Sequence, residues 1–129
     1  MPEQKRLWIA GSSKDFNLDE KTIKALILHY MIINMDLRGN SIVGHGAAKG
    51  VDTLVDEVAT ELQTVPIHRL PAEWVKDGKY RNYAGMLRNT EGVDWSTGVI
   101  VFWNGVSPGT ADVIKKARKA GKLLEIIKI

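Results

Sequence analysis

The sequence predicts an α/β fold: a single Rossmann-like three-layer domain with a mainly parallel sheet of about five strands. Two observations predict it. Short apolar runs alternate with longer stretches whose apolar residues recur at helical spacing. The most apolar run, Gly98-Val99-Ile100-Val101-Phe102-Trp103, shows no polar alternation, as a central parallel strand buried on both faces requires. The 129 residues fit one domain over 1–129, and 44% hydrophobic composition is enough for one continuous core.

Leu7-Trp8-Ile9-Ala10 reads as a buried strand that stops at Gly11-Ser12-Ser13. Asn17 and Glu20 resemble a capping box, and Ile23, Leu26, Ile27, Tyr30, Met31 and Asn34 continue at helical spacing until Gly39-Asn40. Ser41 to Gly44 is a second strand. The loop His45 to Gly50 leads into a helix with Val51, Leu54, Val55, Val58, Ala59 and Leu62 on its inner face. Val65 to Leu70 is a third strand, with Pro66 near its start, where a missing donor costs least. The polar and aromatic stretch from Pro71 to Asp94 contains a short helix around Tyr80 to Arg88. After the strand over 98–103, Ser107 and Pro108 supply an N-cap and a first helical residue, and Leu123 to Ile127 is the last strand. Right-handed crossovers in the order 3-2-1-4-5 place the loops after the first and fourth strands at the topological switch point, where ligands bind in such sheets.

Composition narrows the partners. The net charge of +3 comes from 18 basic and 15 acidic residues that are interspersed, with no basic tail, so direct nucleic-acid binding is not expected. With no cysteine there is no disulfide, thiolate metal site or cysteine nucleophile. No set of His, Asp and Glu has metal-ligand spacing, so neither a metal nor a cofactor is expected. No apolar run approaches the roughly 20 residues of a membrane span, which gives a cytoplasmic expectation. Self-association as a homo-oligomer is expected, because helices of so small a domain leave apolar patches.

Three loops carry the chemistry. Gly11-Ser12-Ser13, the stretch with His45, Gly46, Lys49 and Gly50, and the stretch with Ser107, Gly109 and Thr110 all precede helices, where exposed N–H groups and the helix dipole favour phosphate. Neither a Walker pattern nor a full G-x-G-x-x-G is present. Lys79 and Arg88 add positive charge, and Arg88, followed by Asn89, offers a fork for bidentate contact. His45 either contacts ligand or holds its loop. Asp52 either caps a helix or binds ribose. Trp74, Trp103 and Tyr80 are candidates for stacking on a base.

Gly11-Ser12, the run from Val43 to Asp52, Pro71-Ala72-Glu73-Trp74, Gly78-Lys79, Ala84 to Asn89, Phe102-Trp103-Asn104-Gly105 and Ser107-Pro108-Gly109-Thr110 resemble the SLOG superfamily. The likeness is to its small YspA-like branch of bacteria and phages and spans nearly the whole chain. It implies a Rossmann-like domain related to the LOG phosphoribohydrolases, whose members bind or process nucleotides and their derivatives. Their PGGxGTxxE motif ends in a glutamate that supports N-glycosidic cleavage. Val113 stands at that position, and the adjacent Asp112 is turned about 100° around the helix. No catalytic residue is therefore assigned. The resemblance implies a protein that senses or sequesters a nucleotide-derived molecule and, in a viral genome, an anti-defence sponge for an immune signal. The alternatives are an N-glycosidase using Asp15, Glu73 or Asp112, or an interaction module with a vestigial pocket.

Overall fold

The computed structural model describes residues 4–129. The main elements follow in the order β1 (Lys5–Gly11), α1 (Glu20–Asn34), β2 (Ser41–His45), α2 (Val51–Leu62) and β3 (Ile67–Arg69). A small hairpin of β4 (Val75–Lys76) and β5 (Lys79–Tyr80) comes next, then α3 (Ala84–Trp95), β6 (Gly98–Trp103), α4 (Pro108–Lys119) and β7 (Leu123–Lys128). β3, β2, β1, β6 and β7 form one parallel sheet in that order, and β4 pairs with β5 in a separate two-stranded antiparallel sheet. The expected α/β class and strand order are both observed.

Alternation along β1 divides the core. Leu7 and Ile9 join Ile23, Ile27 and Met31 of α1 and Val51, Val55 and Ala59 of α2 on one face. Trp8 and Ala10 join Val93 of α3 and Val113, Ile114 and Ala117 of α4 on the other. This is the period-two placement of a strand buried on both sides. Three sequence readings are corrected. α1 is capped by Asp19, whose Oδ1 accepts from the Thr22 N–H at 2.7 Å; the Asn17 and Leu18 amides instead donate to the Ile129 carbonyl. The third helix begins at Ala84 and runs to Trp95, later and longer than the expected stretch from Tyr80 to Arg88. The hairpin was not foreseen, because strands of two residues show no periodicity.

α3 lies close to the sheet because its residues facing β1 are small. A Cβ added to Gly92 would overlap the six-membered ring of Trp8. Trp8 is fully buried beneath it and meets Trp95 edge to face, with centroids 6.2 Å apart. Gly92→Ala should therefore destabilise the fold by about 1–3 kcal/mol through overpacking. The urea midpoint reads this, and an unchanged or raised midpoint would contradict the close approach of α3 to β1.

Candidate functional site

At the carboxyl ends of β1 and β6 the chain diverges to opposite sides, and a cleft of about 520 Å³ opens there on the face covered by α3 and α4. Of the candidate residues, Gly11, Ser13, Gly46, Asp52, Trp74, Arg88, Asn89, Ser107, Gly109 and Thr110 line it. Trp8, Ala10, Ala48, Asn82, Gly85, Met86, Pro108 and Val113 also line it. Sequence reasoning assigned none of these to ligand contact. Trp8 and Ala10 read only as core and Val113 only as the residue in place of a glutamate, and the sequence carried no signal that the core would end at an open floor.

Eight other candidates lie outside the lining, and Ser12, His45, Gly50 and Asn104 among them shape the loops. Ser12 is buried: its N–H donates to the Phe102 carbonyl at 3.0 Å, its Oγ accepts from the Asn104 N–H at 3.0 Å, and its carbonyl accepts from the Val51 N–H. It ties the ends of β1 and β6 to the start of α2. Asn104 organises the fourth loop, accepting at Oδ1 from the Val106 and Ser107 amides and donating to the Lys14 carbonyl. Gly50 precedes α2 at φ +77°, and a Cβ there would sit 2.5 Å from the Ser13 carbonyl oxygen. Lys49 and Lys79 are exposed, Lys79 on the hairpin.

His45 is a correction to the ligand-contact reading. The Ala47 N–H donates to Nδ1 at 3.0 Å, so Nε2 carries the proton and donates to Asp56 Oδ2 at 2.7 Å. Both ring nitrogens are spent within the protein, one on the loop and one on α2. Arg69 completes the group, placing Nε and Nη2 against the two Asp56 oxygens at 2.6 and 3.1 Å. Those bonds first, and His45 next, hold the Asp56 carboxyl at about 2, well below its ordinary value.

Arg88 and Asn89 lie on the first half of α3. Arg88 Nη1 donates to the Gly46 carbonyl and Nε to Asn89 Oδ1, so two arms of the fork are already used by the protein. Asn89 Nδ2 donates to the Gly109 carbonyl at 3.2 Å and to Asp112 Oδ2 at 3.0 Å, joining α3 to the start of α4. Asp112 also pairs with Lys116 at 2.8 Å, which places it away from the cleft as its helical position implies. Val113 does line the cleft. Asp15, Glu73 and Asp112 do not line it.

The helices differ at their N-termini. α1, away from the cleft, has a side-chain cap. α2, α3 and α4, whose first turns supply cleft residues, have no side-chain cap bond. Ser107 precedes α4 but shares its hydroxyl with Thr110 at 3.1 Å instead of capping. Val51 gives its amide to the Ser12 carbonyl, Ala84 gives its own to the Arg81 carbonyl and Pro108 has none, so the second and third amides of each helix are the ones open to an anion. At the rim, Trp74 stacks on Tyr80 of the hairpin, with centroids 6.3 Å apart and planes at 13°. Trp103 instead donates its indole N–H to the Ser107 carbonyl at 3.1 Å and supports the loop. Among the described residues there is no metal-binding cluster, and no helix is long and apolar enough to cross a membrane.

No family model and no curated protein matches the chain. Among solved structures it is similar to one reported for the single-stranded DNA binding mode of DNA processing protein A from Helicobacter pylori. The match has a TM-score of 0.63 at 15% identity and covers 98% of this chain and 67% of the other. At that identity the likeness establishes the fold. It also corrects one expectation: charge that is evenly interspersed was read as excluding direct nucleic-acid binding, yet a protein of this fold binds single-stranded DNA.

The Asp56 group generates a pH prediction. A carboxyl whose folded value lies below its unfolded value of about 3.9 contributes stability above that value and loses it as pH falls towards about 2. Urea midpoints should therefore fall between about pH 4 and 2, and fall less steeply in Arg69→Ala. Equal steepness in the two proteins would mean that Arg69 does not hold the carboxylate.

Proposed function

We propose that the cleft binds a nucleotide or nucleotide-derived phosphate ligand and retains it without cleaving it. The observation that carries this reading is the convergence of three helix N-termini without side-chain caps on one cleft, beside the Arg88 guanidinium. A cleft of about 520 Å³ is in the range of small-molecule sites. The Gly109 position supports a close approach of phosphate to backbone, since a Cβ there would meet nothing within 4 Å. The resemblance to the SLOG superfamily supports the same ligand class. Sensing or sequestering follows from retention without turnover, and in a viral genome such a protein would act as a sponge for a nucleotide signal.

A second reading, single-stranded nucleic acid, is favoured by the DNA-binding structural neighbour and by the rim. There Trp74 and Tyr80 are exposed beside Lys76 and Lys79, an aromatic and basic combination suited to stacked bases and their phosphates. Incubating the protein with mononucleotides, dinucleotides and short oligonucleotides, followed by mass spectrometry of retained and released molecules, separates the two. Retained small nucleotides support the first reading, and retained oligonucleotides alone replace it with the second.

Gly109→Val should remain folded, because the space beside Gly109 is open, and should lose about 1.5–3 kcal/mol of binding through blocked amide contacts to phosphate. Unchanged affinity in the folded variant would move the phosphate elsewhere.

AMP should be recovered intact, since general acid–base assistance is worth about 10²–10⁴ in rate and Val113 supplies none. Adenine release on a chromatogram at more than a slow background rate would replace retention with the N-glycosidase alternative.

A further inference from the structure

The cleft has one anionic wall. Asp52 lines it from the first turn of α2 and is only 5% exposed. Its Oδ2 accepts from the Ala48 N–H at 3.1 Å. Among the described residues no side chain forms an ion pair with it; His45 and Arg88 favour its charge from longer range. The Gly46 backbone also hydrogen-bonds this carboxyl, and since a carboxylate has about four acceptor directions, room remains for a donor from the cleft. Burial pushes its pKa above the ordinary value, against the backbone hydrogen bonds from Ala48 and Gly46 and the charges of His45 and Arg88.

The two helix N-termini on either side of the cleft are therefore unlike. α2 carries an acid in its first turn, which offsets the positive end of its dipole. α4 carries none there and has no side-chain cap. A phosphate is drawn to the α4 end and repelled from Asp52. What meets Asp52 is a hydrogen-bond donor, and in a nucleotide the available donors are neutral.

We propose that Asp52 is the specificity-determining acceptor of the cleft, taking hydrogen bonds from a neutral donor group of the ligand while the phosphate lies against α4. Two parts of a nucleotide have that chemistry, the ribose hydroxyls and the amino group of the base. The inference rests on the nucleotide reading above and gives the bound ligand a direction. If Asp52 serves only to hold the Ala48 amide, Asp52→Asn keeps an oxygen for that bond and leaves ligand affinity unaltered.

The test is titration calorimetry of wild type and Asp52→Asn with AMP, 2′-deoxy-AMP, 3′-deoxy-AMP and purine riboside 5′-monophosphate, which lacks the amino group. Asp52→Asn should bind AMP roughly 10- to 100-fold more weakly, the scale of a hydrogen bond to a charged group. Wild type should show a comparable loss for the analogue that lacks the facing donor, and Asp52→Asn should lose little more with that analogue. Coupling to a deoxy analogue assigns the ribose, and coupling to purine riboside monophosphate assigns the base. Wild type binding all four equally overturns the inference without recourse to any variant. So does an Asp52→Asn protein that binds AMP as wild type does, or that loses the same factor with every analogue. A wild type that binds none of the four overturns the nucleotide reading itself, and this inference with it.

Discussion

The pairing of β1 with β2 on one side and β6 on the other is the constraint on which the rest of this structure depends. Because both neighbours are parallel to it, every connection must cross a face of the sheet, and the chain leaving β1 goes to one face while the chain leaving β6 goes to the other. The gap between them follows from topology alone. Ser12 sits at that divergence, with its backbone and hydroxyl fastened to β6, to α2 and to the loop beyond β6. Its burial is the reason that Gly11 and Ser13 on either side can line an open cleft without the end of β1 fraying.

Electrostatics refines what topology provides. Three helices begin at the cleft without side-chain caps, yet their ends are not equivalent, because Asp52 offsets one of the three. Arg88 links the walls, bonding the Gly46 carbonyl and Asn89, while Asn89 reaches the Gly109 carbonyl. Loops from β2 and β6 are thus held at fixed separation by one pair of adjacent residues on α3. The adjacency of Arg88 and Asn89 in sequence has a structural role before any ligand arrives.

Fold and strand order were legible because the periodicity is strong where burial is two-sided, as over Gly98–Trp103. α3 was misplaced for a physical reason: its buried positions are Ala84, Asn89, Gly92 and Val93, small or polar residues matched to the bulk of Trp8, so no apolar stripe announces it. The α1 cap was read two residues early because the amides of Asn17 and Leu18 are claimed by Ile129, a contact between distant parts of the chain. In the site, glycines and residues at strand ends were found because topology brings them together. The two readings of His45 stayed open because one ring partner, Asp56, lies 11 positions away on α2 and is itself held by Arg69. Lys49 and Lys79 were chosen for charge, and charge in sequence says nothing about which way a side chain faces.

The hairpin of β4 and β5 satisfies its own backbone and shares no strand pairing with the main sheet. It nevertheless holds Tyr80 against Trp74, a residue of the cleft wall. Substitutions, insertions or a different turn there would alter the rim while leaving the five-stranded register untouched. Within one architecture the segment can be rebuilt on its own, so the shape of the rim is free to change while the scaffold beneath it stays fixed.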